Sequence, residues 1–284
     1  MPTASDRSRL ISIVQSRQNA RVRELRAAFA RNGRESAEVI GIEGGHLLTE
    51  ALRSGLRLRT VFIRTDPDGR NLRLLERLPI PDHTSVVSLN PAVFASAVET
   101  ESPQGIAALL EPPQFSLADA LAGQRQLVIL AAGLQDPGNF GTLIRSAEAF
   151  GATGVVALPG TVNVWNSKVQ RASAGSAFRV PVVLEKTGSA LAALAERKIP
   201  ILAAVAASGE DESIPCSACD LTRPAAILIG NEGSGLSQDL LDRADARIAI
   251  PMPGPVESLN AGVAASILLY EAARQRAVRS RDAG

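Results

Sequence analysis

Between residues 117 and 284, short apolar runs alternate with helical stretches, and this alternation limits the possible folds more than any other feature. The runs are 127–132, 154–158, 180–184, 201–205, 225–229 and 247–250. Helical patterns fill the gaps at 141–150, 167–174, 187–197 and 237–243, and a long last helix covers about 258–279. Most runs are apolar throughout rather than at every second position, so both faces need cover. Parallel strands joined through helices provide it. The expected class is α/β, with a mostly parallel sheet and helices on both sides.

A smaller α/β unit precedes it. Residues 16–31 read as a helix with Val22, Leu25 and Phe29 on one face. Strands are expected at 39–42, 58–63, 84–89 and 105–110, with helices at 46–54, 71–78 and 91–98. Glu111-Pro112-Pro113 then breaks the pattern and reads as a linker. The expected domains are 1–112 and 117–284.

The balance of charge hints at a partner. Residues 1–110 carry 15 basic and 12 acidic side chains, and the remainder carries 15 and 17. Arginine dominates, with lysine only at Lys168, Lys186 and Lys198. Guanidinium forks pair with phosphate, so an Arg-rich N-terminal unit suits nucleic acid, although a solvated helix would look the same. No apolar run is long enough to span a bilayer, and the polar start at residues 1–9 lacks the apolar core of a secretion signal. A cytoplasmic protein with no membrane partner is expected. Cys216 and Cys219 supply half a zinc site, but His46 and His83 are far off in sequence. The pair reads as incidental, and no metal is expected.

Three loops each follow an apolar run. Gln135-Asp136-Pro137-Gly138-Asn139-Phe140-Gly141 turns tightly into a helix, whose first N–H groups attract an anion. Asn139 falls near that helix start and Arg145 one to two turns inside. Gly230-Asn231-Glu232-Gly233-Ser234-Gly235-Leu236 lets backbone approach a ligand closely. It has neither the Gly-Lys-Ser/Thr ending of a P-loop nor the glycine spacing of the dinucleotide fingerprint. Ile250-Pro251-Met252-Pro253-Gly254-Pro255-Val256-Glu257-Ser258-Leu259-Asn260 is stiff, with few free donors, and its carbonyls suit an adenine edge. Ser258 reads as a cap for the last helix. Each loop alone also reads as an ordinary turn. Together, at the C-terminal ends of strands in one sheet, they can converge on one site.

In this order and spacing, Asn139–Ala147, Ile229–Ser237 and Ile250–Asn260 resemble the three signature motifs of SpoU-type (TrmH-like) RNA ribose 2′-O-methyltransferases of the SPOUT superfamily. Arg171-Ala172-Ser173-Ala174-Gly175 and Val180-Pro181 also look like the family. So do Ser16-Arg17-Gln18-Asn19, Glu43-Gly44 and Ser102-Pro103-Gln104-Gly105, which are similar to the small RNA-binding domain of the ribosomal-RNA branch. The resemblance covers nearly the whole chain.

It implies a catalytic domain with a C-terminal trefoil knot, S-adenosylmethionine as cofactor, and a homodimer with its site near the subunit interface. Gly230, Gly235, Ile250, Met252 and Leu259 are expected at the cofactor. Asn139, Arg145, Glu232, Ser258 and Asn260 are expected at the reaction. The expected substrate is a ribose 2′-hydroxyl in 23S ribosomal RNA. Transfer RNA, a resistance role and a non-catalytic RNA-binding protein remain as alternatives. The family assigns Arg145 as the base, yet guanidinium almost never loses its proton, so a phosphate clamp that polarises the hydroxyl is the physical expectation. One departure stands out. Where the family continues with Val-Ser, this chain has Ala261-Gly262. The missing hydroxyl is expected to leave extra room or a shifted backbone there.

Overall fold

A computed structural model describes residues 11–31, 38–206 and 213–282. The polar start at residues 1–9 lies outside them. The chain divides into two compact units: residues 1–113 with Trp165–Phe178, and residues 114–164 with 179–284.

The first unit holds a five-stranded sheet in the order β1-β4-β3-β5-β2, built from Ile11–Val14 (β1), Ile40–Glu43 (β2), Leu58–Arg64 (β3), Ser85–Leu89 (β4) and Ile106–Leu110 (β5). The edge strand β1 pairs parallel with β4 and was not expected from the sequence. Helix α1 spans Ala20–Arg31 rather than starting at Ser16, because Asn19 caps it: its Oδ1 accepts the Arg21 N–H at 2.9 Å. Val22, Leu25 and Phe29 are buried, as their spacing predicts. The other helices are α2 (Gly45–Arg53), α3 (Arg70–Glu76) and α4 (Pro91–Ala95). Phe178 joins the core under β2, β3 and β5, with Trp165 stacked on it at 6.3 Å.

The second unit carries seven strands in the order β10-β12-β9-β11-β6-β7-β8. They are Leu127–Ala131 (β6), Gly154–Ala157 (β7), Val182–Leu184 (β8), Ile201–Val205 (β9), Ile214–Pro215 (β10), Ala225–Ile229 (β11) and Ala246–Ala249 (β12). Every pairing is parallel. Central β6 and β11 are buried along their whole length, which is why they read as continuous apolar runs.

Helix α6 (Pro137–Ala149) follows β6 and starts four residues earlier than the pattern suggests. Pro137 sits in its first turn, where a missing N–H costs nothing, and Asp136 is the cap, accepting the Asn139 N–H at 2.8 Å. Leu117–Ala120 (α5), Ser167–Ser173 (α7), Thr187–Glu196 (α8) and Gln238–Asp242 (α9) are shorter, and α7 belongs to the first unit. The last helix, α10, runs Ala261–Asp282. Its cap is Asn260, whose Oδ1 accepts the Val263 N–H at 3.2 Å, so Ser258 does not cap it. Helix α10 packs along α6, with the Ser146 and Ser266 hydroxyls 2.7 Å apart. Near its far end the Arg276 guanidinium donates to the carbonyls of Leu221, Arg125, Gln126 and Arg223 at 2.8–3.1 Å. That grip ties the C-terminal helix to the entries of β6 and β11.

Among the described residues no helix is long and apolar enough to cross a membrane, and no group of three or more His, Cys, Asp or Glu could hold a metal. Cys216 is buried and Cys219 partly so, and neither forms a disulfide. Burial pushes both thiols up, with Glu271 adding to it at Cys216 and Asp220 at Cys219, so thiolate is scarce at neutral pH.

Candidate active site

The loops after β11 and β12, with the start of α10, enclose a pocket of 310 Å³. Gly230, Glu232, Gly235, Ile250, Met252, Ser258 and Leu259, all singled out from the sequence, line it. Leu236, Leu241, Ile248 and Leu268 give it an apolar wall.

The glycine loop has a closed form. Asn231 and Gly235 exchange both backbone hydrogen bonds at 3.0 Å, folding residues 231–235 back on themselves. Gly235 has φ +66°, the left-handed region that glycine enters without cost. At Gly230 the reason is close approach. A Cβ there would stand 2.6 Å from the Gly235 carbonyl carbon and 2.8 Å from the Leu236 nitrogen.

Asn231 organises this loop, a role the sequence reading did not give it. Its Oδ1 accepts the N–H groups of Gly233 and Ser234 at 2.9 and 3.0 Å, and its Nδ2 donates to the Gly133 carbonyl at 2.7 Å. One side chain thus fixes the loop internally and ties it to the exit of β6. An Asn entering a glycine-rich turn was the available signal, since its amide readily replaces main-chain partners.

Asn139 and Asn260 join the pocket through Glu232. Asn260 Nδ2 donates to Asn139 Oδ1 at 2.6 Å, and Asn139 Nδ2 donates to Glu232 Oε1 at 2.8 Å. Glu232 Oε2 faces the Gln135 N–H at 3.4 Å. The polar ends of all three loops are therefore linked in one directed chain that ends on a carboxylate. Such a chain fixes the amide orientations and presents a negative charge at the pocket rim.

Arg145 is not part of this chain. It lies six residues beyond Asn139 on α6, roughly 9 Å along the axis and about 120° around it. It is exposed, and its side chain has no hydrogen-bond or ion-pair partner among the described residues. In a single chain its guanidinium projects from a different side of α6 than the Asn139 amide.

The departure at Gly262 is filled, not open. A Cβ at Gly262 would meet the Asn139 main-chain carbonyl oxygen at 3.0 Å, the Asn139 Cα at 3.2 Å and the Thr142 Cβ at 3.2 Å. Glycine here lets the first turn of α10 lie directly on the first turn of α6, so the extra room expected from the sequence is occupied by Asn139 itself.

In the first unit, Glu43-Gly44 and Ser102–Gly105 come together at one end of the sheet. The Gly44 N–H donates to the Ile106 carbonyl at 2.9 Å, and Gly44, with φ +100°, leaves space that Gln104 occupies. Arg64 donates to the Pro103 carbonyl at 3.1 Å.

Comparison with known proteins covers both units. Residues 126–270 match the SpoU rRNA Methylase family, and residues 19–108 match an MRM3-like substrate binding domain. The chain is 32% identical over 260 residues to the 23S rRNA (guanosine(2553)-2′-O)-methyltransferase RlmP of Bacillus subtilis, covering 90% of this chain and 97% of that one. It is 31% identical to the 23S rRNA (uridine(2479)-2′-O)-methyltransferase of Streptomyces viridochromogenes, covering 91% of each. The crystal structure of the SpoU methyltransferase AviRb from Streptomyces viridochromogenes, in complex with AdoMet, superposes with a TM-score of 0.79 at 29% identity, over 92% of this chain and 99% of that one.

Proposed function

The chain belongs to the SpoU rRNA methylase family, and from that premise we propose that it transfers a methyl group from S-adenosylmethionine to a ribose 2′-hydroxyl of 23S ribosomal RNA. The family fold, an α/β domain with a C-terminal trefoil knot behind a small α/β domain, agrees with the parallel seven-stranded sheet and the return of α10 along α6. The observation that carries the activity is the Asn260–Asn139–Glu232 chain at the rim of the apolar pocket. Both named 23S relatives support the ribosomal substrate, as does a first unit that matches a substrate-binding domain.

The pocket residues fit the cofactor. Leu236, Leu241, Ile248 and Leu268 offer an apolar slot for a flat adenine, flanked by the main-chain groups of Gly230, Ile250, Met252 and Leu259. Gly230 holds its loop open where a side chain would collide with backbone. The Glu232 carboxylate suits the positive charge of a sulfonium and of an amino group. When bound, S-adenosylmethionine supplies an electrophilic methyl group. This chain's residues then position the ribose. The Asn139 and Asn260 amides, locked by Glu232, set the approach line of the hydroxyl. Arg145 grips the adjoining phosphate and stabilises the negative charge that develops on the 2′-oxygen as its proton passes to phosphate or water; the oxygen takes the methyl group and S-adenosylhomocysteine is released. The protein acts as a cytoplasmic homodimer in which α6 and α10 of one chain bring Arg145 to the pocket of the other. Val263 and Tyr270, exposed at 44% and 55% on α10, suit such a surface. The first unit holds the RNA, with Glu43-Gly44 and Ser102–Gly105 grouped at one sheet end.

Titration calorimetry tests the cofactor assignment. One S-adenosylmethionine per chain is expected, and absence of binding refutes the enzyme reading. A second variant tests the packing at Gly262. Gly262→Ala gains about 1 kcal/mol in helix propensity but loses about 1–3 kcal/mol to overpacking. Its melting temperature is therefore expected within a few degrees of wild type. Because the new methyl group presses on Asn139, kcat is expected to fall about tenfold with cofactor affinity unchanged. An unchanged kcat would detach Asn139 from the reaction.

A further inference from the structure

The methyl-transfer loops all leave the C-terminal ends of the strands. The opposite edge of the same sheet has a pattern of its own. Four neighbouring parallel strands, β12, β9, β11 and β6, start nearly flush: Ala246 pairs with Leu202, Ile201 with Ala226, and Ala225 with Leu127. Each is entered from an exposed cation two or three residues earlier: Arg243, Lys198, Arg223 and Arg125. With strands about 4.8 Å apart, the four charges span roughly 14 Å. Lys198, Arg223 and Arg243 line one hollow of 740 Å³ with Ile199, Pro200 and Pro224.

Acidic groups offset only part of this charge. Arg223 pairs with Asp220 at 3.1 Å and Arg243 with Asp239 at 3.0 Å, both exposed pairs within one local segment. Asp245 also lines the hollow, where its Oδ2 accepts the Ile201 N–H at 2.7 Å and its charge offsets one cation, and the exposed Asp242 and Glu196 lie next to Arg243 and two residues before Lys198 in sequence. The side chains of Lys198 and Arg125 have no ion-pair partner among the described residues. Arg125 instead lies close enough to Arg276 to lower that guanidinium's pKa, secondary to burial.

The backbone fixes where Lys198 stands. Lys198 has φ +55°, one of two non-glycine residues with positive φ among those described. It stands just past α8, where a helix usually ends on glycine. The turn closes the helix: the Lys198 N–H donates to the Ala195 carbonyl and the Ile199 N–H to the Leu194 carbonyl, both at 3.0 Å, which holds Lys198 just beyond the end of α8. In a chain with three lysines, one is held in this conformation at the mouth of a basic hollow.

We propose that this N-terminal edge of the catalytic sheet, with Lys198 and Arg125 at its centre and end, is a second RNA-binding surface that holds the phosphodiester backbone away from the methylated nucleotide. It lies about 17 Å, one strand length, from the methyl-transfer pocket, so the RNA must wrap the domain to reach both. The inference rests on the RNA reading above. Phosphate contacts of this kind set orientation and salt sensitivity without reading sequence.

The test uses the full-length chain, a fluorescein-labelled 23S rRNA transcript and potassium chloride from 50 to 200 mM. In the Arg125→Gln/Lys198→Gln double variant, the slope of log affinity against log salt is expected to flatten by about one for each lost contact. Affinity falls several-fold, and S-adenosylmethionine binding stays at the wild-type value. Lys198→Gly separates function from folding: the melting temperature holds or rises as strain is relieved, while RNA affinity still drops. Wild-type affinity and slope in both variants overturn the proposal and leave the methyltransferase reading intact. A wild-type chain that does not bind the transcript overturns both. Sodium tripolyphosphate that binds the wild-type hollow, with RNA affinity untouched by the substitutions, identifies a small polyphosphate site and overturns the RNA surface.

Discussion

Arg145→Ala is expected to slow methyl transfer by about 100- to 1,000-fold, the usual effect of removing one group that meets charge in a transition state. The reason lies in where Arg145 is not. The Asn260–Asn139–Glu232 chain is complete without it, and the pocket does not include it. Cofactor affinity should therefore stay at the wild-type value. Exposure, and the absence of a partner among the described residues, leave the guanidinium available to a ligand that comes from outside. Arg145→Lys distinguishes clamp from base. A clamp loses its bidentate fork, so lysine restores only a few per cent of the rate and the pH–rate profile keeps its shape. Near-wild-type rate with a lowered pH optimum would make residue 145 the base.

Gly230→Val is expected to abolish cofactor binding at ordinary concentrations. The atoms a Cβ would meet at 2.6–2.8 Å are all main chain, from Gly235 and Leu236. They cannot swing aside as a side chain would, because Asn231 closes the loop on Gly235 and anchors it to Gly133. Even Gly230→Ala should raise the dissociation constant for S-adenosylmethionine about 10- to 100-fold, the equivalent of about 1–3 kcal/mol of overpacking. Wild-type affinity in the alanine variant would place the cofactor elsewhere. The two variants also test the proposed dimer together. If Arg145 serves the partner's pocket, mixing Arg145→Ala with Gly230→Val chains restores about one quarter of wild-type activity, since half the dimers are mixed and each has one intact site. No recovery would put Arg145 at the pocket of its own chain.

Much of this arrangement was legible in the sequence, for physical reasons that differ by element. Strands β6 and β11 announced themselves because burial on both faces demands apolar residues at every position. Strand β1 did not, since Ile11-Ser12-Ile13-Val14 lies on an edge with Ile13 76% exposed and little burial to write a pattern. The two-residue strand β10 is too short for any periodicity. Three helix starts differ by three or four residues from the hydrophobic spacing, where Asn19, Asp136 and Asn260 close the first turn, whereas the helices capped by Asn90 and Asn166 begin at 91 and 167 as the spacing predicts. The grouping of Trp165–Phe178 with the first unit rests on tertiary contacts such as Phe178 in that unit's core, and no local signal carries those.

The site followed the same division. The loop residues that line the pocket were readable because glycine and proline mark those loops directly in sequence, whereas the apolar wall of Leu241, Ile248 and Leu268 carries no such mark. The connection among Asn139, Asn260 and Glu232 spans 121 residues and appears only when the sheet brings the loops together. Gly262 was readable as a departure but not as a contact, since the atoms it accommodates belong to α6.

Methyl transfer to the ribose is tested by a map of 2′-O-methyl groups in 23S ribosomal RNA from cells with and without this protein. One nucleotide is expected to lose its 2′-O-methyl group when the protein is absent, and to regain it when purified protein and S-adenosylmethionine are added to the undermethylated RNA. An identical map in both cells, or a methyl group restored on a base rather than a ribose, would contradict this assignment.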